Sequence, residues 1–251
     1  KALGAEELKP ERSTNFSLGF TLTPTDRLSF TADAYVINLR DRITLTGTLL
    51  GPQVTQVLQD NGINSTSGGQ YFINGAATRT KGLDLVSSYN QDLGAFGALK
   101  WTAAFNWNQT QILNYKESTH ILGTSYDLMD RQARNLITGV QPNTKLILGG
   151  DWSIERFNLN LALTRYGSYK EVNSSANRDL DRVYNARWIT DLDLGYSLTK
   201  DLNIAIGAKN LFDLYPKKQG VPSSTMVASY GTYSPYGFTG GYYYTRLTYA
   251  F

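Results

Sequence analysis

The sequence predicts an all-β fold, about nine antiparallel strands of a membrane β-barrel, and three observations lead there. Segment after segment alternates apolar and polar residues with a period of two, the spacing that sends successive side chains to opposite faces of a strand. Short turns and long polar loops join these segments alternately, which sorts the long loops to one end of the molecule. The composition agrees: 17 Tyr and 23 Gly in 251 residues, with 18% charged, suit strands, turns and a hydrogen-bonding interior better than a charged soluble surface.

The first strand is expected over residues 13–22, with Phe16, Leu18, Phe20 and Leu22 on one face and Asn15, Ser17, Gly19 and Thr21 on the other. A tight polar turn, Thr23-Pro24-Thr25-Asp26, returns the chain into 28–36, where Leu28, Phe30, Ala32, Ala34 and Val36 alternate with Ser29, Thr31, Asp33 and Tyr35. The period fades over 45–74, a connection too long for an ordinary compact soluble domain. Residues 81–89 and 98–109 make the next pair, with Leu99, Trp101, Phe105 and Trp107 opposite Lys100, Thr102 and Asn106. A second long loop, 112–143, precedes strands over 145–152 and 157–166, and a third, 167–187, precedes strands over 188–198 and 202–211. There Leu192, Leu194, Ile204 and Ile206 face away from Asp191, Asp193 and Asn203. The last loop, 213–241, leads into residues 242–251, where Tyr243, Thr245, Leu247, Tyr249 and Phe251 alternate with Tyr244 and Arg246. No segment reads as a helix.

A soluble sandwich and an outer-membrane barrel share this strand pattern, and the loop sorting separates them. Bacterial outer-membrane barrels have short periplasmic turns and long extracellular loops, whereas a sandwich has no reason to segregate its connections. Trp107, Trp152, Trp188, Tyr89 and Tyr196 near strand ends fit the aromatic girdles of such a barrel. No run approaches the ~20 apolar residues of a spanning helix, so any crossing is made by strands. The chain opens on Lys1 without Met or a signal segment, as expected of a processed chain or a piece of a longer one.

Catalytic and metal chemistry find little support. There is no Cys, and the single imidazole, His120, lies in a loop without a nucleophile motif, where a solvated side chain is the ordinary reading. Asn177, Asp179 and Asp181 alternate in a loop but lack the Gly and distal Glu of a calcium-binding hand. The net charge of +3 is too mild and scattered for nucleic acid. No catalytic residue, metal site or cofactor is therefore expected.

Five stretches, taken in order, resemble the C-terminal portion of a TonB-dependent outer-membrane receptor. They are L-K-P-E-R-S-T-N-F-S-L-G-F at 8–20, with Ser17 where the family has an acid; A-D-A-Y-V-I-N-L-R-D-R-I at 32–43; N-G-A-A-T-R-T-K-G-L-D-L at 74–85, with Asp84 in the acidic position; N-L-F-D-L-Y-P at 210–216; and S-P-Y-G-F-T-G-G-Y-Y-Y-T-R-L-T-Y-A-F at 234–251. Each is weak singly, and their order makes the likeness strong. The resemblance implies a 22-stranded barrel with a plugged lumen, of which residues 1–251 supply the last strands, the plug and earlier strands lying elsewhere. It implies active uptake of a scarce ligand, such as a ferric siderophore, another metal chelate or an oligosaccharide, with energy passed on by TonB-ExbB-ExbD.

On that reading, Tyr126, Arg131, Tyr230, Tyr233 and Tyr236 are the extracellular-loop candidates for ligand contact, because tyrosines stack and hydrogen-bond while arginine pairs with anions. Lys100, Asp191, Asp193, Lys209 and Arg246 are expected to face the lumen and the plug. Leu247, Tyr249 and Phe251 resemble the signal read by the barrel-assembly machinery. Further expected partners are outer-membrane lipid and lipopolysaccharide. Two alternatives stay open: a passive porin, which a charge-lined loop folded inward would favour, and a soluble β-rich sugar-binding module, which would stay monomeric without detergent.

Overall fold

Nine antiparallel strands pair in strict chain order to form one sheet in the computed structural model, which describes residues 2–173, 177–218 and 230–251. They are β1 (Arg12–Thr25), β2 (Leu28–Leu45), β3 (Phe72–Asp92), β4 (Ala98–Tyr115), β5 (Thr144–Ile154), β6 (Phe157–Tyr166), β7 (Arg187–Ser197), β8 (Leu202–Lys209) and β9 (Tyr242–Tyr249). Connections at one end are short, 26–27, 93–97, 155–156 and 198–201, and those at the other are long, 46–71, 116–143, 167–186 and 210–241. The curved, open sheet is a portion of a barrel wall.

Register makes the two faces different. One row of directly paired residues runs Asn90, Lys100, Asp151, Asn160, Asp193, Gly207, Tyr244 from β3 to β9. A second row, on the opposite face, runs Leu99, Trp152, Leu159, Leu194, Ile206, Thr245 from β4 to β9. Paired residues share a face, so the first row lines the lumen and the second faces outward. The outward side chains are left uncovered by protein: Leu18 is 72% exposed and Leu247 66%. Such an apolar surface is what hydrocarbon covers.

The buried apolar residues gather instead at the long-loop end. Leu3, Leu49, Val54, Leu58 and Ile121 form one cluster, and Ala76, Met129 and Ala133 another. Short helices support both. In α1 (Pro52–Asp60), a proline opens the first turn, where no amide bond is lost, and Val54 and Leu58 share a buried face one turn apart. In α2 (Arg131–Thr138), the Asp130 carboxylate caps the first turn by accepting from Ala133 N at 2.8 Å.

These helices correct the expectation of no helical segment. The hydrophobic stripe of α1 spans a single pair of turns inside a polar loop, so it carries little periodic signal. The strands also run further than hydropathy alternation indicates: β2 continues to Leu45, β3 begins at Phe72 and β4 reaches Tyr115. Above Val36 the contrast inverts, with Asn38 and Arg40 of β2 outward and Ile37 and Leu39 toward the lumen, so alternation no longer marks an apolar outer face while the backbone ladder goes on.

Candidate functional site: the inner wall and its mouth

Lys100, Asp191, Asp193, Lys209 and Arg246 all lie on the lumen face, as their strand parity requires. Four of them meet on β7, β8 and β9. Lys209 Nζ lies 3.1 Å from Asp191 Oδ2, and Asn210 N donates to Asp191 Oδ1 at 2.8 Å. Arg246 donates to Asp193 Oδ1 at 3.1 Å, and the Tyr244 hydroxyl donates to Asp193 Oδ2 at 2.7 Å. Lys100 stands apart, three strands away, paired in register with Asp151. The cations are more than half exposed, so these pairs contribute at most about 1 kcal/mol each and serve mainly to orient charge along the wall.

Two tyrosines lie flat on this wall because glycine stands beneath them. A Cβ at Gly82 would overlap the Tyr35 ring, and one at Gly207 would overlap the Tyr244 ring. The pairs are direct cross-strand neighbours. Glycine is needed for this close approach, and no unusual φ is involved.

At the mouth, α2 sits on the lumen side. Thr78 pairs with Ile112 and, past a bulge, Ala76 pairs with Tyr115, which keeps all four facing inward; Ala76, Ile112 and Tyr115 form a cluster with Met129, Ala133 and Ile137. The two arginines of α2 are engaged by protein. Arg134 donates to the Tyr115 hydroxyl and lies 5.1 Å from the centre of its ring. Arg131 donates to Asp181 Oδ2 at 2.7 Å, and Lys170 Nζ reaches the same oxygen at 3.1 Å. The loop after β4 is thus fastened to the loop after β6.

Burial works against ionisation of Asp181, but hydrogen bonds from Arg131, Lys170 and Asn173 N outweigh it and hold the carboxyl below its ordinary range. A depressed folded-state value means the clamp is complete at neutral pH and is lost as pH falls below the ordinary carboxylate value through the depressed one. Asp181→Asn is expected to speed amide exchange in α2 and in 169–171 at pH 7 while leaving the wall strands unchanged. Hydrogen exchange read by mass spectrometry checks this, and unchanged exchange in α2 would contradict the clamp.

The remaining loop candidates are placed as follows. Tyr126 donates to Gln53 Oε1 at 3.2 Å and packs on the cluster around Leu49 and Val54, joining the first two long loops. Tyr230 stacks on Tyr215 with ring centres 5.4 Å apart. Tyr233 N donates to Glu171 Oε1 at 3.0 Å, and the Tyr236 ring lies 5.9 Å from that of Tyr166. Burial raises the Tyr236 hydroxyl above its usual value, keeping it protonated and able to donate. Tyr233 thus meets the third long loop at Glu171 and Tyr236 meets the top of β6, while Tyr230 is held within the last loop by Tyr215. Tyr166, with Lys145 Nζ 5.3 Å above its ring, joins this aromatic group from the wall itself. Sequence reading passed over Tyr166, although its inward parity at the top of β6 was the available signal.

Phe251 lies beyond β9 and is wholly exposed, while Leu247 and Tyr249 face outward on the strand. Asp181, once a candidate oxygen donor with Asn177 and Asp179, is turned to its cations; Asn177 Oδ1 accepts from Asp179 N at 2.9 Å. Among the described residues, no cluster of three or more His, Cys, Asp or Glu is placed to hold a metal ion.

Comparison with known proteins fits this geometry. A family model described as TonB dependent receptor-like, beta-barrel, matches residues 1–211. No curated protein matches the sequence. Among solved structures, the outer membrane transporter YddB from Escherichia coli superposes with a TM-score of 0.64 at 12% identity, over 98% of this chain and 33% of that one. A mutant of the ferric enterobactin receptor PfeA from Pseudomonas aeruginosa gives 0.61 at 20% identity, over 97% and 32%. The copper transporter OprC gives 0.61 at 16%, over 98% and 33%. At these identities the structures show the shared fold, and the chain spans about a third of their length. With a family match over most of its length and a barrel wall of the same fold, the chain belongs to the TonB-dependent receptors, as a part of their outer-membrane β-barrel.

Proposed function

We propose that residues 1–251 are the C-terminal part of the wall of a plugged, 22-stranded receptor that captures a scarce ligand outside the cell and imports it with energy transmitted by TonB. The observation that carries this reading is the polar row on the lumen face, from Asn90 to Tyr244, broken at Gly207 where the Tyr244 ring lies over it, beneath loops that pack together at one end. A wall of this kind presents hydrogen-bonding groups to a protein plug and leaves ligand recognition to the mouth. Asp191, Asp193, Lys209, Arg246 and Lys100 would meet the plug. Tyr230, Tyr233 and Tyr236 would offer rings and hydroxyls to the ligand, with Tyr126 and Arg131 holding the neighbouring loops in place. Similar structures point to the ligand class: one is a copper transporter and another is the pyoverdine receptor FpvA from Pseudomonas aeruginosa, bound to pyoverdine. A ferric siderophore or other metal chelate is thus the leading class, with an oligosaccharide next.

In this mechanism, loops and plug bind the ligand, and TonB with ExbB and ExbD pulls on the plug to open a path along the polar wall. The test is uptake of radiolabelled ferric chelates by cells producing the full receptor, with and without TonB. Uptake is expected to saturate and to fall to background without TonB. Uptake that persists and rises in proportion to concentration would replace this reading with a passive porin.

A further inference from the structure

The outward face of β1, β2 and β3 changes character at one level. Two apolar rows, Phe20-Ala32-Leu85 and Leu18-Ala34-Leu83, lie side by side in register. Immediately above them come Phe16-Val36-Lys81, then Thr14-Asn38-Arg79, then the direct pair Arg12-Arg40. Lys81, Arg79, Arg12 and Arg40 are all exposed, and none of them forms an ion pair with a carboxylate among the described residues. Arg79 Nε donates to the neutral Asn38 Oδ1 at 2.7 Å, which holds the guanidinium on this face and leaves its terminal nitrogens for another acceptor. Arg40 and Arg79 line a groove of about 520 Å³ with Thr14, Asn38 and Asn114, and Asp41 at the adjacent bulge is the one carboxylate on its rim.

The level of the change is that of the membrane surface. From Tyr89, in the aromatic group at the short-turn end, to Lys81 is eight residues of β3, a height of roughly 20 Å for a strand tilted by about 40°. That is close to the height of the apolar band of an outer-membrane barrel, so Lys81 stands at its outer edge and the three arginines stand just above it. Like charges directly opposite one another on a sheet repel, as Arg12 and Arg40 do here, and an anion between them relieves the repulsion.

We infer that this surface binds lipopolysaccharide. Its phosphates sit on Arg12, Arg40, Arg79 and Lys81, and its acyl chains lie along Phe16, Leu18, Leu83 and Leu85. The ligand must be multiply anionic at the height of the cations and multiply acylated directly below it, and a phosphorylated glycolipid of the outer leaflet meets both demands at this spacing. The inference rests on the outer-membrane location of the barrel and not on uptake.

The test uses the full receptor in detergent, stripped of lipid and titrated with purified lipopolysaccharide, dephosphorylated lipopolysaccharide and phosphatidylglycerol. Lipopolysaccharide is expected to bind most tightly, and its binding to weaken as salt rises. The combined variant Arg40→Gln, Arg79→Gln, Lys81→Gln is expected to lose affinity on the order of tenfold or more, as cations at a charged lipid surface act together. Arg40→Lys with Arg79→Lys keeps most of the affinity, and Lys145→Gln on the inner wall leaves it unchanged. Equal binding by the triple variant overturns the site. So does equal binding of dephosphorylated lipopolysaccharide or of phosphatidylglycerol, which would reduce it to acyl contact or to generic attraction for anionic lipid. Should the triple variant fail to assemble, salt-independent binding by the unaltered receptor overturns the inference just as well.

Discussion

Arginine in place of Leu85 is expected to destabilise the inserted barrel by about 2–4 kcal/mol, whereas arginine at the next residue, Val86, is expected to cost well under half of that. Leu85 lies on the outward face of β3, four residues from Tyr89 and four from Lys81, which puts it roughly 10 Å from either edge of the lipid band. A guanidinium there has neither water nor a counter-charge. Val86 points to the lumen, beside Thr31 and Ala104, and is 45% exposed. Urea unfolding of the full receptor in lipid vesicles measures both. Equal costs at the two positions would mean that the assignment of faces, on which every site described above depends, is wrong.

Deletion of Phe251 is expected to lower the amount of receptor in the outer membrane several-fold while leaving the ligand affinity of the inserted fraction unchanged. The backbone is held as far as Ala250, whose N–H donates to Asp201 O at 2.8 Å, but the Phe251 ring beyond it is fully exposed and supports nothing within these nine strands. Its loss takes little from these nine strands, so the expected effect falls on assembly, where Leu247, Tyr249 and Phe251 would be read together as an outward-facing end. Quantitative immunoblotting of outer-membrane fractions, paired with ligand titration, separates the two effects. Normal insertion after the deletion would remove Phe251 from the assembly signal, and a loss of affinity in the surviving receptor would assign it a structural role instead.

The wall was legible because lipid and lumen impose opposite demands on alternate residues. Residues such as Phe16 and Ser17, or Leu192 and Asp193, carry that contrast in the chain itself. It disappears where the outside is no longer apolar, so alternation marks β2 and β3 only as far as Val36 and Lys81 although pairing continues through Arg40 and Arg79. Asp191 and Asp193 could be assigned to the lumen by parity, yet their partners Lys209 and Arg246 come from strands whose register a single sequence does not state. The loops were hardest to read. Arg131 looked like a group awaiting an anionic ligand, and the anion it meets in the structure is Asp181, fifty residues along the chain. Tyr126 similarly finds Gln53 across two connections. Contacts of this kind depend on where the hairpins hold the loop ends, and no local pattern records that.

The position of the buried apolar clusters has a consequence for how the molecule melts. A water-soluble domain keeps its oily residues at its centre and has one solvent to lose them to. In this chain Leu49, Val54, Leu58, Ile121 and Met129 are shielded from water by other loops, while Leu18, Leu194 and Leu247 are shielded from water by hydrocarbon. Exposing the first group to water carries the large positive heat capacity of apolar hydration. The second group is already in contact with its solvent, and parting its strands hydrates nothing so long as the bilayer stays. Calorimetry of such a receptor in a bilayer is therefore expected to show the loops at the mouth coming apart in a transition separate from that of the wall beneath them.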